Sequence, residues 1–65
     1  MDTADDRRVR RTKNLLIRSL ATLMAKKNIT DITVKELCEL ADINRGTFYL
    51  HYKDIYHMLE SIEQD

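Results

Sequence analysis

The apolar residues of this chain fall into stripes at helical spacing, separated by short polar connectors. Leu16, Leu20, Leu23 and Met24 recur three and four apart, with Ile17 and Ala21 beside them. That pattern predicts a first amphipathic helix over about residues 9–27. Lys26, Lys27 and Asn28 suit its end: the lysines complement the dipole, and asparagine tolerates the left-handed conformation. A second stripe, Val34, Leu37, Cys38 and Ala41, predicts a helix over about 34–41. Thr33-Val34-Lys35-Glu36 at its start matches a capping box, in which the Thr hydroxyl and the Glu carboxylate each satisfy a backbone N–H. Asp42 and Ile43 then form a tight turn, and Asn44 caps a third helix over about 45–51. Asp54 caps a fourth over about 54–64, with Ile55, Met58, Leu59 and Ile62 as its stripe. Residues 1–8 show no periodicity and are expected to be a flexible arm. No strand is expected. The expected core is Leu16, Leu20, Leu23, Val34, Leu37, Cys38, Ile43, Phe48, Tyr52, Leu59 and Ile62.

Composition supports an all-α domain, with no proline and a single glycine in 65 residues. Apolar runs are too short to span a bilayer, and the polar N-terminus does not read as a signal peptide. One cysteine cannot form an internal disulfide, which fits a cytoplasmic location. The formal net charge of zero hides an asymmetry. All eleven Lys and Arg lie between Arg7 and Lys53, against the four acids Asp31, Glu36, Glu39 and Asp42, leaving that segment at +7. A basic middle between acidic ends is the footprint of a surface for a polyanion.

Residues 44–53, Asn-Arg-Gly-Thr-Phe-Tyr-Leu-His-Tyr-Lys, sharpen that expectation. They combine a helix cap, the only glycine, aromatics and a series of hydrogen-bond donors. A core helix would not expose so many donors, and a solvated helix would not need the glycine or the tyrosines. The mixture suits a short helix pressed against a polyanion, with its N-terminus and donors toward phosphates and base edges.

These residues resemble the DNA-binding domain of TetR/AcrR-type transcriptional regulators. The resemblance is carried by Thr33-Val34-Lys35-Glu36-Leu37-Cys38, by Ala41-Asp42-Ile43-Asn44-Arg45-Gly46-Thr47-Phe48-Tyr49-Leu50-His51-Tyr52, and by the upstream helix ending Leu23-Met24. It implies a helix-turn-helix in a homeodomain-like three-helix core, occupying residues 9–65, with the start of a fourth helix. It also implies a repressor that binds a palindromic operator as a homodimer. A further C-terminal domain, absent from this chain, would carry the dimer interface and a site for a small-molecule inducer. Two positions depart from the pattern. Asp42 stands where glycine is common, and Ile55 stands where a lysine is common, so Lys53 is expected to take over that phosphate contact.

The expected DNA-contacting residues follow. Arg45 and Thr47, early in the third helix, are placed at base edges, arginine being the commonest reader of guanine. Asn44, Gly46, Tyr49, Leu50 and His51 belong to the same surface, with Leu50 expected to lie exposed toward the groove, in reach of a thymine methyl. Phe48 and Tyr52, four apart, are expected to face the core. Thr33, Val34 and Lys35 at the start of the second helix, and Lys53, are expected at phosphates. Arg10 and Arg11, the strongest candidates in a basic arm with Arg7, Arg8 and Lys13, would cross the backbone or enter the minor groove. Cys38 is expected to be a buried structural thiol. Cys38, His51 and His57 lack metal-ligand spacing, so no metal or cofactor is expected. No Ser-His-Asp set, carboxylate pair or phosphate loop occurs, and an enzyme is not expected. The alternative to DNA binding is a helical protein–protein interaction module that docks a partner through exposed tyrosine and leucine side chains.

Overall fold

The structure, a computed structural model, describes residues 3–63, with side chains from residue 7 onward. Four helices follow one another: α1 (Thr3–Met24), α2 (Val34–Ala41), α3 (Arg45–His51) and α4 (Ile55–Glu63). A single 3-10 turn, Ile29–Asp31, lies between α1 and α2, and no strand occurs among the described residues.

Leu16, Leu20 and Leu23 form the buried face of α1. Leu37, Cys38 and Ala41 of α2, Phe48 of α3, Tyr52 after it, and Ile55 and Met58 of α4 close on that face. Ile32, just before α2, completes the core. Val34, Ile43 and Ile62, expected in the core, are half-buried and pack against its rim, and Leu59 is also half-buried. The fourth helix buries the Ile55–Met58 edge of its apolar stripe, so Leu59 and Ile62 fall at the margin. The stripe itself was visible in the sequence; which edge of it is covered depends on how α4 meets the other helices.

The first helix begins at Thr3, not near residue 9. Residues 3–8, expected to form an arm, are helical; residues 1 and 2, and residue 64 of the expected fourth helix, lie outside the described residues. Periodicity reports burial rather than helicity. Once Leu16–Leu23 are anchored, extending the helix toward the N-terminus costs little, because alanine and arginine are good helix formers and the aspartates Asp5 and Asp6 fall at the positive end of the helix dipole. At its other end α1 stops at Met24, and the N–H groups of Lys26 and Lys27 both donate to the Leu23 carbonyl, at 3.0 Å each. Asn28 is extended (φ −71°, ψ 150°), so it does not provide the left-handed stop that the sequence suggested.

Half of the expected capping box forms. The Thr33 hydroxyl accepts from the Glu36 N–H at 3.1 Å. The Glu36 carboxylate does not reach back; it accepts from Lys27 Nζ with both oxygens, at 2.9 and 2.8 Å. This half-exposed pair ties the end of α1 to α2 and contributes well under 1 kcal/mol after solvent screening.

The turn between α2 and α3 is closed by backbone chemistry. Asp42 adopts the left-handed conformation (φ 58°, ψ 46°). The Ile43 N–H donates to the Cys38 carbonyl at 2.9 Å, and the Asp42 N–H donates to Glu39 at 3.3 Å. These are the two bonds of a Schellman ending, and Ile43 supplies the accompanying apolar contact. A side chain in this conformation carries a steric cost that glycine does not. Asp42→Gly should therefore stabilise the domain by about 0.5–1 kcal/mol, the relieved strain exceeding the added unfolded-state freedom. Urea denaturation reads this directly, and a loss of stability would mean that the Asp42 side chain contributes something beyond its backbone angles.

Candidate nucleic-acid interface

The third helix is oriented by what it buries. Phe48 is fully buried and Tyr52 nearly so, and their rings meet at 5.6 Å between centroids. With about 100° of rotation per residue, residues four apart share a face. Gly46 and Leu50 are therefore turned away from the core, and both are exposed. Tyr49 lies at the side of this outward face, 55% exposed, with its ring edge-on to Phe48 at 5.3 Å. Thr47 and His51 are half-buried on the opposite side.

The start of α3 is held by Asn44, whose Oδ1 accepts from the Gly46 N–H at 2.7 Å. The same oxygen would lie 3.1 Å from a Cβ at position 46. Glycine thus does two things here: it leaves the first turn open to an approaching surface, and it lets the cap close. The second role was not visible in the sequence.

Beside this face runs an open groove of about 480 Å³ between α2 and the start of α3. Lys35 and Arg45 line it together with Glu39, Asp42 and Asn44, so it carries both signs of charge. Cys38 lies at its floor, 3% exposed. Burial pushes its thiol up from the ordinary value, and the positive charge of Arg45 opposes that only in part. The thiol therefore stays protonated at neutral pH, which fits a structural role.

Lys53 follows α3 and is exposed. Its N–H donates to His57 Nδ1 at 3.0 Å, while the His57 N–H donates to Asp54 Oδ1 at 2.8 Å. Asp54 caps α4 as expected. The part played by His57 was missed in the sequence: it stands at the third-residue position of a capping box, but its ring accepts from the N–H of Lys53, one residue before the Asp54 cap.

The expected contact residues thus divide into two groups. Asn44, Arg45, Gly46, Thr47, Tyr49, Leu50 and His51 are gathered on or around α3. Lys35 joins Arg45 in the adjoining groove, and Thr33 stands exposed at the start of α2. Val34 is half-buried and packs against the core. Arg10 and Arg11 do not line this groove. They lie on α1 with Arg7, Asn14, Leu15 and Arg18 around a separate shallow concavity. Among the described residues, the only ion pair is Lys27–Glu36, so Lys35, Arg45 and Lys53 have no carboxylate partner there. No cluster of His, Cys, Asp and Glu suited to a metal occurs among the described residues. None of the described helices is long and apolar enough to cross a membrane.

A short capped helix, a left-handed turn and a second short helix with its outer face uncovered define a helix-turn-helix domain. The chain is similar to YxbF of Bacillus subtilis (strain 168), an uncharacterized HTH-type transcriptional regulator. The two are 36% identical over 47 residues, which cover 72% of this chain and 12% of the length of that relative. No protein-family model and no solved structure matches the chain.

The contact between Gly46 and the cap oxygen sets an expectation for stability. Gly46→Ala should change stability by less than about 0.5 kcal/mol, because a propensity gain near 1 kcal/mol is offset by a loosened cap. In an Asn44→Gly background the oxygen is gone, and the same change should stabilise by about 1 kcal/mol. Chemical denaturation of wild type, both single variants and the double variant measures the coupling. Equal effects of Gly46→Ala in the two backgrounds would remove the cap oxygen as the constraint.

Proposed function

We propose that this chain binds double-stranded DNA sequence-specifically, as the operator-reading module of a transcriptional regulator of the TetR/AcrR type that acts as a repressor. The observation that carries the reading is the outward face of α3. It is left uncovered by the rest of the domain; Lys35 and Arg45 meet in the groove at the start of α3, and Lys53 stands exposed just after its end. Similarity to a protein described as an HTH-type transcriptional regulator supports it.

In this reading α3 enters the major groove. Arg45, in its first turn, bonds a guanine edge, and Thr47 and Tyr49 add polar contacts beside it. Thr33, Lys35 and Lys53 hold phosphates and set the register of the domain on the duplex. Arg10 and Arg11 add backbone contacts from α1 where the duplex passes that helix. The regulator is cytoplasmic and works as a homodimer on a palindromic operator. Dimerisation and response to a small-molecule inducer belong to a domain outside this chain.

Exposure of Tyr49, Leu50 and Tyr56 is what a protein-docking module would also show. Salt separates the two readings. Phosphate contacts make log affinity fall linearly with log salt, with a slope of about −0.9 per contact. Arg45→Ala should cost about 1–3 kcal/mol on the preferred duplex and flatten discrimination among duplexes. Lys53→Ala should weaken all duplexes alike and lower the salt slope by about one contact. Titration of a duplex selected from a randomised pool, at several salt concentrations, measures all three. Absence of duplex binding, or partner binding that ignores salt, would replace this reading with protein docking.

A further inference from the structure

We infer that base selection by this domain includes the C5-methyl groups of thymines, read by Leu50 on the outermost crest of α3. The inference rests on the DNA-binding reading and adds what α3 reads.

Leu50 is 81% exposed, the most exposed of the large apolar side chains that stand free of the core. Its direction is fixed. It lies two residues from Phe48 and two from Tyr52, so at about 100° per residue it points about 180° from their mean direction. Both of those side chains are buried, and α3 cannot turn Leu50 inward without expelling them. One turn earlier on the same crest is Gly46, which carries no side chain. The part of α3 farthest from the core is therefore an isobutyl group with open space before it. Thr47 and His51 stand to its sides, Arg45 lies in the first turn toward α2, and α3 contains no acid.

In the major groove every base edge shows hydrogen-bond donors or acceptors, and thymine alone adds an apolar group. Laid over the polar edge of G, A or C, Leu50 would strip water from groups it cannot bond. Over a thymine methyl it removes apolar surface from water on both partners. The side chain thus separates thymine from the other bases by a penalty on one side and a gain on the other. Lys35, Arg45 and Lys53, none with a carboxylate partner among the described residues, match a polyanion as the occupant of this crest.

The test uses a duplex enriched from a randomised pool, in which each dT is replaced in turn by dU, a change that removes only the methyl. For the wild-type chain, at least one replacement should weaken binding about fourfold, the factor for burying one methyl group. Leu50→Ala should unfold at the same temperature as wild type, since the side chain is exposed, and should bind the dT and dU duplexes equally. The inference is overturned if no dU replacement matters, or if the dT–dU difference persists in Leu50→Ala. An enriched duplex that binds without any methyl effect defeats this inference alone. Failure to enrich or bind any duplex, with an apolar peptide or protein captured through Leu50 instead, defeats the DNA-binding reading and this inference with it.

Discussion

Burial of Phe48 together with Tyr52 is the constraint on which the candidate site depends. The two rings come from positions four apart, one in the middle of a seven-residue helix and one at its C-cap, and that helix is too short to be stable alone. Their burial against α1, α2 and α4 holds that helix in place and also fixes its rotation. The other positions of α3 then have assigned directions: Gly46 and Leu50 outward, Tyr49 at one side with Arg45 in the turn before it toward α2, Thr47 and His51 at the other. The outward face owes its geometry to the inward one.

The turn that delivers α3 to this position is closed by local bonds rather than by packing. Asp42 takes a left-handed backbone, Ile43 returns its N–H to Cys38, and Asn44 caps the next helix through the Gly46 N–H. Within five residues the chain ends one helix and begins another. Asp42 is the only residue other than glycine with positive φ among the described residues, and it lies in this turn. The strain is local, and it sits where the angle between α2 and α3 is set.

Charge is distributed on a different principle from packing. The cations near α3 come from three elements: Lys35 from α2, Arg45 from α3 itself and Lys53 from the segment after it. Glu39 and Asp42 interrupt them in the groove. The arginines of α1 form a separate group around their own concavity. A single basic segment in the sequence thus becomes two separate basic surfaces in the fold, and only one of them adjoins α3.

Much of this was legible in the sequence because it is local. Helix spans for α2, α3 and α4, the Thr33, Asn44 and Asp54 caps, the Asp42 turn and the inward pairing of Phe48 with Tyr52 all follow from spacing and side-chain type within a few residues. What failed depended on partners distant in the chain. Glu36 left its capping box for Lys27, nine residues earlier, because the fold brings the end of α1 beside α2. The apolar stripe of α4 was buried along one edge, because neighbouring helices decide which part of a stripe is covered. The start of α1 was misplaced because periodicity reports burial, and a helix continues past the residues it buries. The sequence by itself determined the helices, their caps and the existence of a basic, donor-rich segment, since those depend on backbone bonds and residues one turn apart. Only the tertiary structure decided that Arg10 and Arg11 line a concavity of their own on α1, apart from the groove at the start of α3, since residues share a surface only where the helices that carry them meet.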